Sequence, residues 1–230
     1  MSFVIAAPKQ ASVPVKGTHL RFPVRRIYCV GRNYNDHVAE MGGIPGREPP
    51  FFFQKPADAL LLDGSFPYPS ASNNVHHEVE LVVALHSGGH KIPVKDASRH
   101  IYGYAVGIDM TRRDLQSEAK KAGQPWEVAK AFDHSAPINE ITPKAGIGLL
   151  ERASISLHIN GAQRQCSDIS EMIWNVPEII SELSKLFELH AGDMIFTGTP
   201  NGVGPVLPGD RIRAAIEHLG ELSLQVCKPS

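Results

Sequence analysis

Short apolar or alternating runs, separated by glycine, proline and polar residues, recur along this chain. We predict strands at residues 26–30, 79–85, 101–109, 154–160, 194–197, 211–216 and 222–227. Asn160-Gly161 is typical of a hairpin turn. Because the strands are many and short and do not alternate regularly with helices, the pattern favours a mainly β mixed α/β fold with few helices over a doubly wound sheet.

Helical signals are fewer and lie at three places. Thr111 with Asp114 resembles a capping box that opens a helix, and Gly123 is placed to close it. Asn175 with Glu178 predicts the cap of a second helix, which carries one apolar stripe. The third signal is a short helix within residues 31–43, which carries His37 and Glu40.

The chain's 230 residues suit one large domain, or one domain with a short N-terminal appendage. Residues 1–24 hold three prolines and few periodic apolar positions, so we expect an extended N-terminal arm followed by a single domain over 25–230. The formal net charge is -1, which gives no global field favouring nucleic acid or an anionic membrane. Small molecules, or a second copy of the chain, are the expected partners.

Cysteine usage and hydropathy bear on the compartment. The three cysteines are far apart and form no C-x-x-C pair, which argues against a disulfide framework and a structural zinc site and favours a reducing environment. No apolar run approaches the length of about 18 residues that a spanning helix needs, and the start lacks the pattern of a signal peptide. We therefore expect a cytoplasmic protein.

The most informative chemical feature is a pair of acids inside an apolar strand. Glu78 and Glu80 point to the same face, about 7 Å apart, and little besides a cation would relieve the repulsion between their carboxylates. A third acid, Asp109, ends another apolar run. Three carboxylates form the hard oxygen shell that suits Mg²⁺, Mn²⁺ or Ca²⁺. The alternative is that the pair is solvated on the wet face of an antiparallel strand.

His37 and Glu40 lie three residues apart in a segment, 31–43, that predicts a short helix capped at Asn33 or Asn35 and stopped by Gly42. On one helical face, the carboxylate would hold one imidazole nitrogen and raise the basicity of the other, as a water-activating base requires. An ordinary exposed helical ion pair is the alternative.

Cations follow the acids along the chain. Arg112, Arg113 and Gln116 lie one helical turn beyond Asp109 and could grip a substrate carboxylate, although arginines in a first helical turn are often simply solvated. Lys130 is a lone cation among apolar neighbours. It is either the buried partner of an acid or a catalytic cation, and the sequence leaves both open.

A glycine-rich turn at residues 198–205 completes the candidate set. It lacks the Gly-Lys-Ser/Thr ending of a P-loop, so a nucleotide site is not expected. It could offer backbone N–H groups and the Thr199 hydroxyl to an anion, or it could be a plain tight loop. His76 and His77 adjoin the acids without zinc-like spacing, and we expect them to support the site or the fold.

Taken together, these motifs resemble the fumarylacetoacetate hydrolase family over nearly the whole chain. The resemblance rests on RIYCVGRNY at 26–34, KP at 55–56, HEVEL at 77–81, GIDMT at 107–111, KAFD at 130–133 and TGTPNGVG at 197–204. It implies a β-roll with few helices around a metal site, usually dimeric, which makes 25–230 a catalytic domain. The members it resembles most are the short ones that cleave acylpyruvates, fumarylpyruvate in particular.

The resemblance also implies roles for the candidate residues. Mg²⁺ or Mn²⁺ would be bound by Glu78, Glu80 and Asp109. A lid helix would carry a water-activating dyad of His37 and Glu40, with Lys130 as an active-site cation. The remaining positions that match substrate contacts are Arg113, Gln116 and Thr199.

These parts predict hydrolysis of a carbon–carbon bond in an acylpyruvate, releasing pyruvate and a carboxylic acid. A second carboxylate at the far end of the substrate would need its own donor, for which Arg32, Arg112 and Arg113 are candidates. Oxaloacetate decarboxylation or keto–enol tautomerisation is the alternative, because the family uses one metal site for several reactions. A non-enzymatic ion-binding protein would need the acids but neither the dyad nor Lys130.

Overall fold

The computed structural model describes residues 3–42, 44 and 46–229. Within them the strands are β1 (Ser12–Pro14), β2 (Arg21–Pro23), β3 (Ile27–Gly31), β4 (Phe51–Lys55), β5 (Leu60–Leu61), β6 (Ser65–Pro67), β7 (Val75–His77), β8 (Val79–Leu85), β9 (Ile101–Ile108), β10 (Thr111–Arg112), β11 (Ala136–Pro137), β12 (Thr142–Pro143), β13 (Ser154–Ile159), β14 (Ala162–Asp168), β15 (Met194–Phe196), β16 (Gly204–Pro205), β17 (Arg211–Ile216) and β18 (Gly220–Cys227). The helices are α1 (Asn35–Glu40), α2 (Val94–Ala97), α3 (Arg113–Ala122), α4 (Glu127–Lys130), α5 (Lys144–Ile147) and α6 (Val176–Leu186). Short 3₁₀ turns lie at Ala57–Ala59, Ser98–His100 and Ile169–Glu171. The predicted mainly β mixed fold is confirmed.

A six-stranded mixed sheet in the order β12-β9-β8-β15-β3-β4 forms the centre of the molecule. All seven residues of β8 are buried, because both faces of the sheet are covered. Leu81 and Val83 belong to one apolar cluster, and Val82 and Ala84 belong to the other. Glu80 therefore points toward the face of Val82, since side chains alternate along a strand.

A five-stranded sheet in the order β14-β13-β17-β18-β6 packs on the Leu81 face. Its strands alternate: Ile155, Leu157 and Ile159 of β13 are buried, whereas the intervening side chains are more exposed. The predicted turn joins β13 to β14, with positive φ at both Asn160 (52°) and Gly161 (83°). That conformation is the one a two-residue hairpin requires.

Helix α3 begins differently from the prediction. Its N-cap is Arg112, with no side-chain capping bond, so the expected box of Thr111 and Asp114 is wrong. Thr111 is recruited into β10, and its hydroxyl donates to the carbonyl of Asp109 at 3.2 Å. The C-terminal end of α3 is as predicted, because Gly123 caps the helix with a φ of 64°.

Helix α6 is bounded as the sequence predicts. Asn175 and Glu178 form a reciprocal capping box, in which each side chain accepts from the other's backbone N–H, at 3.0 and 3.1 Å. Ile179, Ile180 and Leu183 form the buried stripe that packs on the larger core cluster. Among the described residues, no helix is long and apolar enough to cross a membrane.

The N-terminal segment forms a hairpin of β1 and β2, in which Ser12 pairs with Pro23. Val13 and Phe22 are buried in the same cluster as Phe196 of the central sheet. This packing covers the sheet face opposite the five-stranded sheet. Residues 1 and 2 of the expected arm, and residue 230 of the expected domain, lie outside the described residues.

Candidate metal centre and active-site cleft

Strand register brings the three predicted metal ligands together. Val79 of β8 pairs with Ile108 of β9, and the backbone N–H of Asp109 donates to the carbonyl of Glu78 at 2.8 Å. Asp109 thus lies directly across from Glu78, and Glu80 is two residues along the same face. One carboxylate oxygen from each acid lies within 4.8 Å of the other two. All three are buried, so they are not solvated acids on a wet face.

Two of these carboxylates are already balanced by buried cations. Lys130 Nζ lies between Glu78 Oε2 and Asp109 Oδ2, at 2.7 and 2.6 Å. Lys55 Nζ is 2.8 Å from Asp109 Oδ1, and the Arg113 guanidinium pairs with Glu78. Burial acts to raise the pKa of Glu78, but the charges of Lys130 and Arg113 outweigh it and hold that pKa well below its ordinary value.

Glu80 is the acid without a cation of its own. Among the described residues its carboxylate accepts only the backbone N–H of Gly198, at 2.8 Å. Burial raises the pKa of Glu80 well above its ordinary value, and the charges of Asp109 and Glu78 raise it further. A divalent cation held by the three carboxylates would supply the missing positive charge, and an all-oxygen set suits Mg²⁺ or Mn²⁺. The residues present therefore fit such an ion.

The predicted dyad forms on helix α1. His37 Nδ1 is 3.4 Å from Glu40 Oε2, and the His37 side chain is buried. Burial lowers the pKa of His37 below 6.5, while the charge of Glu78 and the contact with Glu40 act in the opposite direction. A neutral imidazole near pH 7 can accept a proton, which is what a general base must do.

The expected caps of α1 are wrong. The N-cap is Tyr34, which makes no side-chain capping bond. Asn33 is instead bonded to backbone far along the chain, donating to the carbonyls of Trp174 at 2.9 Å and Thr197 at 2.8 Å. Asn35 accepts from Gly46 N–H at 3.2 Å. Gly42 follows the helix end with a φ of 75°, and Gly43, the last residue of the predicted segment, lies outside the described residues.

The glycine-rich turn does offer its N–H groups to anions, and those anions are the protein's own carboxylates. Gly198 N–H binds Glu80, as described above. Gly202 N–H lies 3.0 and 3.2 Å from the two carboxylate oxygens of Glu40. The turn therefore joins the carboxylate cluster to the helix that carries the dyad.

One cleft is lined by eight of the nine predicted site residues, namely His37, Glu78, Glu80, Asp109, Arg113, Gln116, Lys130 and Thr199. Glu40, the ninth predicted residue, does not line the cleft, but its carboxylate contacts His37 Nδ1. Arg113 donates to Gln116 Oε1 at 2.6 Å as well as pairing with Glu78. Arg112 is directed elsewhere: its guanidinium stacks 4.3 Å from the Phe132 ring centroid and donates to the Val128 carbonyl at 3.1 Å.

Two buried polar residues of the site were not among the predicted site residues. Lys55 is 2% exposed; it forms an ion pair with Asp109 and donates to the carbonyls of Met110 and Lys130. In the sequence, Lys55 is a lone cation at the end of an apolar run, and it belongs to the KP motif at 55–56. Gln165 is fully buried and its side chain contacts Thr199. It lies in a polar run that gave no signal.

The chain matches one protein family over most of its length. The model of the fumarylacetoacetate hydrolase C-terminal family matches residues 26–227. The oxaloacetate tautomerase FAHD1, mitochondrial, of Homo sapiens is 43% identical over 206 residues, covering 89% of this chain and 93% of that protein. A fumarylpyruvate hydrolase of Ralstonia sp is 42% identical over 180 residues, covering 78% of this chain and 93% of that protein.

A solved structure agrees in fold and in metal chemistry. The crystal structure of fumarylpyruvate hydrolase from Pseudomonas aeruginosa, in complex with Mn²⁺ and pyruvate, superposes with a TM-score of 0.96 at 50% identity, covering 99% of this chain and all of that one. With the buried cluster of Glu78, Glu80 and Asp109, this confirms the prediction of a divalent-metal cofactor. By sequence over 202 residues, by fold and by its acidic cluster, the chain belongs to the fumarylacetoacetate hydrolase family.

Proposed function

We propose that this protein is a metal-dependent hydrolase of acylpyruvates, with fumarylpyruvate as the leading substrate. The observation that carries the proposal is that His37, held by Glu40, lines the same cleft as the three buried carboxylates. An ion-binding structural site would need the carboxylates alone. Similarity to two fumarylpyruvate hydrolases, at 42% and 50% identity, supports the substrate class.

The reaction consumes one water molecule. The water oxygen bonds to the C4 carbonyl carbon of the 2,4-diketo acid, and one water proton passes to the base. The C3–C4 bond then breaks, its electron pair stays on C3 as the enolate of pyruvate, and C3 is protonated. Fumarylpyruvate would give fumarate and pyruvate.

In this scheme Glu78, Glu80 and Asp109 would hold Mg²⁺ or Mn²⁺. When bound, the ion supplies Lewis-acid polarisation of the 2-keto acid end of the substrate. His37 takes the water proton on its Nε2, because its Nδ1 faces Glu40. A general base must lie within reach of the proton it removes, and Nε2 is the ring nitrogen that does not face Glu40.

The remaining cleft residues act on charge and orientation. Lys130 carries a positive charge into the buried cluster, where it can stabilise the developing enolate. Burial acts to lower the pKa of Lys130, but the charges of Asp109 and Glu78 raise it above its ordinary value, so the ammonium stays charged. Arg113, Gln116 and Thr199 are proposed to contact the substrate from the same cleft.

Oxaloacetate tautomerisation or decarboxylation is the second candidate. The 43% identical human protein that bears the tautomerase name supports it. Both reactions pass through an enolate of a 2-keto acid, which a metal and Lys130 serve equally well, and neither adds water to a carbonyl. The distinguishing event is thus the addition of water.

A coupled assay of pyruvate release from fumarylpyruvate, acetylpyruvate and oxaloacetate tests the proposal. Cleavage in ¹⁸O-labelled water should place one label in the carboxylate of the carboxylic acid product, because the water oxygen bonds to C4. The His37→Ala variant should lose this activity by roughly 10²- to 10⁴-fold. Oxaloacetate decarboxylation is measured by the same pyruvate release, and its tautomerisation is measured by the ultraviolet absorbance of the enol. If either reaction of oxaloacetate is faster than cleavage of both acylpyruvates, the second candidate replaces the first.

We propose that the protein is a homodimer, as the family resemblance implies, and that it works in the cytoplasm. The three cysteines are unbonded, as a reducing compartment requires. Light scattering of the purified protein would measure its oligomeric state. Fractionation of the producing cell would show the compartment in which it lies.

A further inference from the structure

Four side chains form a continuous wall on one side of the cleft. The guanidinium of Arg32 lies 5.9 Å from the Phe51 ring centroid, and Lys120 Nζ lies 5.0 Å from the Trp126 ring centroid. The two rings meet edge to face, with centroids 5.2 Å apart. All four residues line the cleft that holds the carboxylate cluster. The wall therefore combines two aromatic rings in contact with each other and two cations, one over each ring.

These two cations differ from the others in the cleft. Arg113 and Lys130 are both paired with the buried acids. Within residues 3–42, 44 and 46–229, neither Arg32 nor Lys120 has a carboxylate within 4.0 Å. Burial lowers the pKa of Lys120, and the positive charges of Arg113 and Arg32 lower it further. The wall thus carries positive charge that no described acid balances.

The backbone at Arg32 is held in an unusual conformation. Its φ is 59°, in the left-handed region that residues other than glycine rarely adopt. The next residue, Asn33, is fully buried and fixed by its bonds to Trp174 and Thr197. A Cβ on the preceding residue, Gly31, would clash with the Phe51 ring, so the glycine makes room for that ring of the wall. Strain of this kind is retained mainly where it places a functional group.

We propose that Arg32 and Lys120 form a subsite for the far carboxylate of a dicarboxylic acylpyruvate. The inference rests on the proposed function, because it assumes that the near, 2-keto acid end of the substrate lies at the carboxylate cluster. A planar unsaturated chain, such as that of fumarylpyruvate, would lie against Phe51 and Trp126 and end between the two cations. Arginine gives such a carboxylate a bidentate contact. Acylpyruvates that end in a methyl group have nothing to place there.

Steady-state kinetics with two substrates tests the subsite. Arg32→Met should lower kcat/KM for fumarylpyruvate by roughly 10- to 150-fold, the value of a charge-assisted contact, and change it less than about threefold for acetylpyruvate. Lys120→Met should show the same selectivity with a smaller loss, and Arg32→Lys should recover part of it. The matched control is Arg112→Met, since Arg112 stacks on Phe132 outside the cleft lining. This control should leave the ratio of the two substrates unchanged.

A binding measurement separates failure of the subsite from failure of the proposed function. In the His37→Ala background loaded with Mn²⁺, where cleavage is slowed by roughly 10²- to 10⁴-fold, calorimetric titration gives the Kd of each substrate before it is consumed. Adding Arg32→Met should weaken fumarylpyruvate binding and spare acetylpyruvate. That result supports the subsite even if the wild type hydrolyses neither compound, which would overturn only the proposed function. Equal losses for both substrates, or no loss in either Arg32→Met or Lys120→Met, would overturn the subsite.

Discussion

The side-chain amide of Gln165 donates to the Thr199 hydroxyl at 2.8 Å, across the gap between the five-stranded sheet and the glycine-rich turn. The same amide nitrogen donates to the Pro200 carbonyl at 2.8 Å. Its oxygen accepts the N–H of Val79, the residue between the two glutamates, at 3.1 Å. It also lies 2.9 Å from His77 Nδ1. One buried amide therefore fixes both the strand that carries the acids and the turn that carries Thr199.

We predict that Gln165→Leu weakens both the fold and the site. The change leaves buried polar groups without partners, so the free energy of unfolding should fall by about 1–3 kcal/mol. KM should rise, because the Thr199 hydroxyl loses the bond that orients it. Gln163→Leu is the matched control, since Gln163 is exposed on the same strand. Urea denaturation and steady-state kinetics measure the two effects, and a similar result in both variants would contradict the positioning role.

The sequence predicts what local rules determine. Alternation along the apolar run at residues 76–85 predicted that Glu78 and Glu80 lie on one face, because the side-chain period of a strand is fixed. The capping box of Asn175 and Glu178 is also a local feature, because its two hydrogen bonds join residues three positions apart. The sequence could therefore predict it. The order of the sheets and the pairing of Glu78 with Asp109 required knowledge of distant strands.

The failures share a physical cause, which is competition from distant partners. Asn33 looks like a helix cap, but it is bonded to backbone 141 and 164 residues away. Gln165 lies in a run of polar residues that suggests an exposed strand. A bulge between Leu157 and His158 breaks the register, so that Leu157 pairs with Gln165 and His158 pairs with Gln163. The extra residue turns Gln165 inward, as bulges commonly do.

Glu80→Gln should have opposite effects with and without metal. Because burial and the neighbouring acids raise the pKa of Glu80 above 4.5, its ionisation costs stability as pH rises above that value. The metal-free variant should therefore be at least as stable as the metal-free wild type at pH 7. Saturating Mn²⁺ should stabilise the wild type by about 2.7 kcal/mol at 100 times Kd, and the variant much less.

Differential scanning calorimetry with and without Mn²⁺ measures both effects of Glu80→Gln. Glu182→Gln is the control, because Glu182 is an acid on α6 that pairs with Lys185 and lies outside the cleft. An Mn²⁺ response in Glu80→Gln equal to that of the wild type would contradict the assignment of Glu80 as a ligand.

Glu40→Gln should move the acid limb of the pH–rate profile to lower pH. Burial already lowers the pKa of His37 below 6.5, and the contact and charge of Glu40 act to raise it. Removing that charge lowers the pKa further, so the base stays neutral at lower pH while its proton affinity and the plateau rate both fall. The midpoint of kcat/KM against pH reports the shift. Asp36→Asn, at an exposed position on the same helix, should leave the midpoint unchanged.

Lys130→Met should separate catalysis from metal binding. Lys130 Nζ bonds to Glu78 and Asp109 at 2.7 and 2.6 Å, so its charge competes with a cation for the same two carboxylates. Without that charge, Mn²⁺ affinity should be unchanged or higher, whereas turnover should fall by roughly 10²-fold or more as enolate stabilisation is lost. Calorimetric titration of Mn²⁺ and single-turnover kinetics at saturating Mn²⁺ measure the affinity and the turnover.

The Lys120→Met variant tests whether removal of any nearby cation changes Mn²⁺ affinity, and we expect the Mn²⁺ affinity of this variant to match that of the wild type. If Lys130→Met instead loses Mn²⁺ but turns over normally once loaded, then Lys130 organises the carboxylates and is not the cation that acts on the substrate.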